Sequence, residues 1–176
     1  IMCRVAGELC DGIHVHPMHS MAYIQNRLMP SLTEGAAKAN RDINEIDLMI
    51  PVFAIAGDSE EEQASMKARA KTQIAFYGST PNYGFQFDDL GFKGVGLKLN
   101  QLMRHGDMNG LRDTITDEIL DHFAVVSSWD DLADKLKDRY AGIAKRVITY
   151  LTAEDIAKNP KNLYRWGEIA KAVSSS

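Results

Sequence analysis

The chain contains one uninterrupted apolar run of nine residues, Leu48-Met49-Ile50-Pro51-Val52-Phe53-Ala54-Ile55-Ala56, followed at once by Gly57-Asp58-Ser59-Glu60-Glu61-Glu62. The run barely alternates with polar residues, which is typical of a strand buried on both faces. Ser59 with Glu62 three positions later forms a capping-box pattern, and acidic side chains suit the positive end of a helix. This segment therefore predicts a buried strand that leads directly into a helix.

The same order of apolar stretch, polar cap and helical pattern occurs three more times. The apolar stretches are residues 13–17, 123–126 and 146–151, and the caps begin at Ser20, Ser128 and Thr152. Two of the helices carry predicted buried stripes: Ile24, Leu28, Leu32 and Ala36, and Leu132, Leu136 and Tyr140. Strands that alternate with helices predict an α/β fold with a parallel sheet. A doubly wound sheet and a closed barrel both fit, although a full barrel needs eight such units.

A long segment without a strand pattern separates the second unit from the third. It runs from about residue 78 to 121, and its glycines at 91, 94 and 96 lack the spacing and lead-in strand of a dinucleotide loop. We expect a helical insertion there, and such insertions often form lids or substrate walls. Apart from this insertion, residues 1–176 are expected to form a single domain.

Composition excludes several functional classes. The 176 residues carry a net charge of -4, with 45% apolar and 25% charged residues, which is globular and gives no electrostatic attraction to nucleic acid or anionic membranes. The longest apolar run is far shorter than the roughly 20 residues of a membrane helix. Two cysteines cannot form a disulfide scaffold, so free thiols and a cytoplasmic location are expected.

The first residues already follow a helical apolar pattern, with Met2, Val5, Ala6 and Leu9 on one side and no capping residue before them. We expect the chain to begin inside an element, as one part of a longer barrel. An open partial barrel leaves a strand edge uncovered. We therefore expect either a second copy of the chain or a missing half to cover that edge.

Three histidines lie close together around the first predicted strand. His14 and His16 are two residues apart, so both side chains point to one face, and His19 follows in the loop. Near the carboxyl end of a barrel strand, such a face contacts a cofactor or substrate. Hydrogen-bonded structural histidines are the alternative. A metal site is a third interpretation, but no Asp, Glu or Cys accompanies them at ligand spacing.

Two further segments are candidates for binding. The first, Gly57-Asp58-Ser59, lies where a strand meets a helix N-terminus, which is a ready anion site, although the Ser59 cap alone could satisfy the same amides. The second is a polar and aromatic cluster at the end of the following helix, typical of a ligand wall. Its aromatic residues could equally anchor the helix to the core. Its members are Gln73, Phe76, Tyr77, Ser79 and Tyr83.

Four segments resemble one family in order and spacing. Residues 6–17, Ala-Gly-Glu-Leu-Cys-Asp-Gly-Ile-His-Val-His-Pro, are similar to the A-G-x-x-A-D-G segment of luciferase-like flavin monooxygenases, and of their deazaflavin-dependent branch in particular. Cys10 stands where alanine is usual. Similar segments follow at residues 73–81, at 116–120 and at 123–133. Together they cover essentially the whole chain.

This resemblance implies a TIM-type barrel of roughly twice this length, of which the chain is the C-terminal portion. It also implies an oligomer that binds reduced FMN or a reduced deazaflavin at the carboxyl ends of its strands. His14, His16, Gly57, Asp58 and Ser59 match the location of the cofactor, and the polar and aromatic cluster matches that of the substrate. No catalytic role transfers, because the family draws much of its ring pocket from the other half.

The sequence thus favours a flavin- or deazaflavin-dependent oxidoreductase, monooxygenase-like, acting on a small molecule. Whether the isolated chain is an enzyme stays open. One alternative is a non-catalytic truncated barrel held together by self-association. The other is a small metal-binding protein that uses His14, His16 and His19.

Overall fold

A computed structural model describes residues 1–174. The four strands are β1 (Gly12–His14), β2 (Asp47–Ala56), β3 (Ala124–Ser127) and β4 (Arg146–Thr149). The helices before β3 are α1 (Met2–Leu9), α2 (Met21–Tyr23), α3 (Met29–Lys38), α4 (Glu60–Gly78), α5 (Phe85–Asp89), α6 (Val95–His105), α7 (Met108–Thr114) and α8 (Asp117–Phe123). After β3 follow α9 (Leu132–Tyr140), α10 (Thr152–Lys158) and α11 (Asn162–Ser174). A π-helical turn (Ile24–Leu28) joins α2 to α3, and 3₁₀ turns lie at Ile43–Glu45 and Pro81–Tyr83.

The sheet is parallel throughout, and β2 is its centre. β1 pairs with residues 47–49 of β2, and β3 pairs with residues 53–56. Val15 donates its amide to the Met49 carbonyl, and Gly57 donates to Ser127, so both strands lie on the edge to which the odd residues of β2 turn. β4 pairs with residues 49–52 on the other edge, where Tyr150 donates to the Val52 carbonyl.

Pro51 explains why two short strands share one edge of β2. It turns toward that edge, midway between the last register pair of β1 at Met49 and the first of β3 at Phe53. Because proline has no amide hydrogen, it cannot extend the β1 ladder. β1 therefore ends at His14, shorter than predicted, and His16 lies just beyond it.

The core has the stripes that the sequence predicts. Ile24, Leu28, Leu32 and Ala36 are at most 3% exposed, and so are Leu132, Leu136 and Tyr140. They pack with β2, whose residues from Ile50 to Ala56 are all buried. The predicted α/β class with a parallel sheet is thus confirmed, and residues 81–123 between α4 and β3 form a succession of short helices without a strand.

The free edge of β3 is covered by side chains of α9. Lys135 Nζ donates to the Val126 carbonyl at 3.1 Å, and Arg139 donates to the Ala124 carbonyl at 2.7 Å. These two carbonyls turn away from β2, since that of Ser127 accepts from it. Charged side chains on an edge strand block pairing with another strand. β3 therefore terminates the sheet at this level.

Helix α1 packs on α3 through glycine instead of through its apolar stripe. The Cα atoms of Gly7 and Gly35 face each other, and a Cβ built on Gly35 would overlap the Arg4 carbonyl. The predicted apolar positions Met2 and Leu9 point outward, with 85% and 74% exposure. The helix is therefore bound by backbone proximity. Ala6 of its apolar stripe is partly buried against the core, while Met2, Val5 and Leu9 are left uncovered.

We expect Gly35→Ala to lower the free energy of unfolding by about 1–3 kcal/mol, because the methyl group has no space between the two helices. Urea unfolding of the purified chain measures this. Gly167→Ala in α11 is the matched control, since a Cβ at that position would meet no other atom within 4 Å; it should gain about 0.5–1 kcal/mol from helix propensity. Equal effects at the two positions would contradict close glycine packing.

Candidate functional site

One face of the sheet carries the candidate site. The register sets His14, Met49 and Arg146 side by side across three strands. Further along the same face lie Ile148, which is 40% exposed, and then Phe53. His14 and Arg146 are exposed. This face is therefore polar and open near the amino ends of the strands and aromatic toward their carboxyl ends.

His16 lies where the open part of this face meets the aromatic part. Its ring contacts Tyr77 edge-on, with centroids 4.6 Å apart, and lies against Tyr83 at 4.8 Å. The Met18 amide donates to His16 Nδ1 at 3.1 Å. Partial burial lowers the pKa of His16, and an Nδ1 that accepts a hydrogen bond carries no proton.

Two tyrosines complete the aromatic part. The hydroxyls of Tyr77 and Tyr150 are 2.9 Å apart, and the Tyr150 ring packs edge-on against Phe53 at 5.3 Å. Burial and this hydrogen bond raise the pKa of Tyr77 to about 12, so the hydroxyl stays protonated near neutral pH. We call His16, Phe53, Tyr77, Tyr83 and Tyr150 the aromatic site.

His19 faces the other way and is fully used inside the protein. Its Nδ1 donates to the His16 carbonyl at 3.0 Å, and its Nε2 accepts from the Tyr140 hydroxyl at 3.1 Å. It is 1% exposed, and burial lowers its pKa to about 4. Burial also raises the pKa of Tyr140 to about 12. For His19, the interpretation as a hydrogen-bonded structural histidine is thus the correct one.

Some of the other residues of the predicted substrate wall lie beside the aromatic site, and others do not. Gln73 lies beside the Tyr77 hydroxyl. Phe76 is 51% exposed and touches only the edge of this group through Tyr77. Ser79 is buried and donates to the Phe76 carbonyl at 2.7 Å. The structure thus brings Tyr77 and Tyr83 against His16, with Gln73 beside the Tyr77 hydroxyl, and uses Ser79 to end α4.

The predicted anion loop at 57–59 is occupied by its own side chains. Glu62 accepts from the Asp58 amide at 2.8 Å, and Ser59 Oγ accepts from the Glu62 amide at 3.2 Å. The Asp58 and Glu62 carboxylates in turn bind Arg165 and Trp129. The predicted cap is confirmed, and it takes up the Asp58 and Glu62 amides.

This loop is also remote from the two histidines. Gly57 lies six residues along β2 from Pro51, the level that His16 reaches. At about 3.3 Å a residue, the separation is roughly 20 Å. The five predicted cofactor residues therefore form two separate places, with His14 and His16 in one and the loop in the other.

The histidines do not form a metal site. Among residues 1–174 there is no group of three or more histidine, cysteine, aspartate or glutamate side chains arranged to hold a metal ion. Both ring nitrogens of His19 have other partners, as does Nδ1 of His16. His19 is therefore not available as the third ligand that the metal-binding alternative named.

Sequence reasoning missed Phe53 and Tyr150. Tyr150 directly follows β4, at the carboxyl end of a strand, where barrel sites form, and that rule alone would have selected it. Phe53 was hidden in an apolar run whose two faces look alike.

A helix that could span a bilayer, both long and apolar enough, is not found in the described part of the chain.

Comparison with known proteins places this fold. A family model described as luciferase-like monooxygenase matches residues 1–146. The chain belongs to the luciferase-like monooxygenase family. An uncharacterized protein of Mycobacterium tuberculosis is 33% identical over 152 residues, which are 86% of this chain and 45% of that protein. The 5,10-methylenetetrahydromethanopterin reductase of Archaeoglobus fulgidus is 24% identical over 86% of the chain and 44% of its own length.

A further relative and a solved structure are also similar to this chain. The F420-dependent glucose-6-phosphate dehydrogenase 1 of Rhodococcus jostii is 34% identical over 89 residues, or 51% of this chain and 25% of that enzyme. The structure of the coenzyme F420-dependent tetrahydromethanopterin reductase from Methanopyrus kandleri superposes with a TM-score of 0.67 at 19% identity, covering 84% of this chain and 41% of that one. The predicted portion of a TIM-type barrel is thus confirmed, and the chain spans less than half the length of these relatives.

We expect Ser59→Ala to lower the free energy of unfolding by about 1 kcal/mol, because the Glu62 amide loses its acceptor. Urea unfolding measures the change. Thr80→Ala is the control, since Thr80 also precedes a helical turn but makes no side-chain cap. If both variants leave stability unchanged, Ser59 is not a structural cap and the anion interpretation regains its basis.

His19 predicts a specific pH dependence of stability. Its pKa is about 4 in the folded protein and about 6.5 when exposed. Between these values the unfolded chain binds a proton that the folded chain does not, so stability is complete above about pH 6.5 and falls as the pH drops toward 4. Between about pH 7.5 and pH 5 this loss amounts to about 2 kcal/mol.

His19→Gln should remove that part of the pH dependence, because glutamine does not titrate. Unfolding of both proteins at the two pH values measures the difference. His105→Gln is the control, because His105 is exposed on α6. An unchanged slope in His19→Gln would show that His19 titrates normally in the folded protein.

Proposed function

We propose that the chain is part of a deazaflavin- or flavin-dependent oxidoreductase and that its aromatic site holds the cofactor ring or the substrate beside it. The observation that carries the proposal is a cluster of aromatic rings on an open sheet face, in a chain of the luciferase-like family. A deazaflavin is the preferred cofactor, because several relatives are named as F420-dependent.

The residues present fit such a group. Flat rings such as those of Tyr77 and Tyr83 offer stacking surfaces for a planar ring system. His16 provides a hydrogen-bond donor, and the Tyr77–Tyr150 pair provides hydroxyls. When bound, a reduced flavin or deazaflavin supplies the redox chemistry. The chain's own residues bind and orient it, and the buried Phe53 excludes water from below.

We assign His14 and His16 to the cofactor, and Gln73, Tyr77 and Tyr83 to the substrate, with the rings of Tyr77 and Tyr83 also in contact with the cofactor ring beside it. Phe76 at the rim and Ser79 at the end of α4 remain predictions for substrate contact. The 57–59 loop also remains a prediction, in competition with its capping role. Because Cys3 and Cys10 are both free thiols, we place the protein in the cytoplasm.

We further propose that the remaining part of a full-length barrel covers the open surfaces of this chain. The outer edges of β1 and β4 carry no strand among the described residues, and the stripe of Met2, Val5 and Leu9 on α1 is exposed. The chain spans 45% of its mycobacterial relative, so the other half of such a protein is the occupant of the right size.

A fluorescence titration with FMN and with a deazaflavin coenzyme tests the cofactor proposal. We expect saturable binding of the deazaflavin in the micromolar range. Tyr77→Ala should weaken it about twofold to tenfold, since aromatic contacts contribute about 0.5–1.5 kcal/mol. Tyr164→Ala is the control, because Tyr164 is 73% exposed on α11, away from the aromatic site.

Two outcomes would contradict the proposal. Equal affinity in Tyr77→Ala and the unaltered chain would place any bound cofactor elsewhere. Absence of binding to either cofactor would favour the alternative of a non-catalytic fragment.

Co-expression tests the partner. The chain, carrying an affinity tag, is produced together with the part of the mycobacterial relative that lies outside the matched region. We expect the two to copurify, and Leu9→Lys with Ile148→Lys to reduce the yield of the complex, because lysine cannot be buried unpaired. A stable dimer of this chain alone, measured by analytical ultracentrifugation, would instead identify a second copy as the occupant.

A further inference from the structure

The loop that follows β1 fixes one proton of the aromatic site. A backbone amide can only donate, so the Met18 amide requires an unprotonated Nδ1 on His16. The proton of the neutral ring then lies on Nε2. Among residues 1–174, Nε2 has no hydrogen-bond partner, and it does not belong to the fully buried unpaired atoms. His16 therefore presents a free N–H donor.

His19 holds the backbone of His16 in place. Its Nδ1–H donates to the His16 carbonyl, which leaves Nε2 as the acceptor for the Tyr140 hydroxyl. His19 and Tyr140 are both at most 3% exposed. The tautomer of His19 is therefore also fixed, and its hydrogen bonds connect the β1 loop to α9.

Gln86 holds the same loop from the insertion side. Its Nε2 donates to the Met18 carbonyl at 2.8 Å, while its Oε1 is buried without a partner. An unpaired buried acceptor destabilises the folded state. The amide cannot be reversed to avoid that cost, because a carbonyl needs a donor. The loop is thus held at two carbonyls, that of His16 by His19 and that of Met18 by Gln86.

We infer that His16 is a positioned, neutral hydrogen-bond donor that binds an acceptor atom of the ring ligand through Nε2–H, and that His19 and Tyr140 are positioning residues for it. The inference rests on the proposed function for the identity of the ligand. The acceptor it fits is a ring carbonyl oxygen or ring nitrogen, because Tyr77 and Tyr83 lie against the imidazole and favour a planar molecule beside it.

Long-range proton–nitrogen correlation spectra of the ¹⁵N-labelled chain without ligand test the tautomers directly. We expect His16 with the proton on Nε2 and His19 with the proton on Nδ1. His16→Gln and His19→Gln assign the signals among the five histidines. A His16 ring protonated on Nδ1, or a charged ring at neutral pH, would overturn the inference without any binding measurement.

Titration with the deazaflavin coenzyme and with FMN tests the donor. His16→Phe keeps a flat ring but lacks the N–H, so we expect binding to weaken about fivefold to tenfold, equivalent to one hydrogen bond. His105→Phe on α6 should change nothing. If His16→Phe binds as well as the unaltered chain, the donor role is overturned. If the unaltered chain binds neither cofactor, the proposed function fails, and with it the ligand assigned to His16, while the spectra still decide the tautomer.

Tyr140→Phe tests the positioning role. It removes the hydroxyl that donates to His19 Nε2, so we expect the Nε2 signal of His19 and the nitrogen signals of His16 to shift. Tyr164→Phe is the matched control. A His16 spectrum identical to that of the unaltered chain would limit His19 and Tyr140 to a structural role, since packing alone does not select a tautomer.

Discussion

The other three strands of the sheet are all hydrogen-bonded to β2, so the position of every strand depends on its pairing with β2. β1 uses its first third, β4 its middle and β3 its last third. Pro51 is the physical cause of the division on one edge, because a missing amide ends one ladder before the next begins. Because of this stagger, the carboxyl end of β2 extends several residues beyond the carboxyl ends of β1 and β4. As a result, the carboxyl ends of the strands do not form one level rim, and the residues that follow them meet in two places.

The sequence patterns that act over a few residues were the reliable ones. Buried stripes, the Ser59 cap and the parallel α/β order all follow from local chemistry, and the structure agrees with them. The extent of β1 was overestimated, since only the register shows that Pro51 stands against its extension. The partnership of Tyr77 with Tyr150 spans 73 residues of chain, and no local pattern predicts such a pair. The polar and aromatic cluster was recognised as a group, yet which of its members would turn toward His16 depended on where α4 ends.

The loop at 57–59 shows how one motif can satisfy two interpretations until its neighbours are known. A strand leading into a helix N-terminus supplies unpaired amides. Here Glu62 reaches back to one of them, and Arg165 from α11 neutralises the acidic pair. Arg165 also lies over the Trp129 ring, which packs on Trp166. The loop thus connects α4, α9 and α11, a role that depends on residues more than 60 positions away.

The covered edge of β3 limits the length of any strand that pairs with the outer edge of β1. Lys135 and Arg139 fill the position beside β3, directly above the open edge of β1. A strand that joins β1 can grow alongside it for only a few residues before it meets these two side chains. A strand that joins β4 meets no such barrier in the described part of the chain. The sheet therefore accepts a short neighbouring strand at β1 and a longer one at β4.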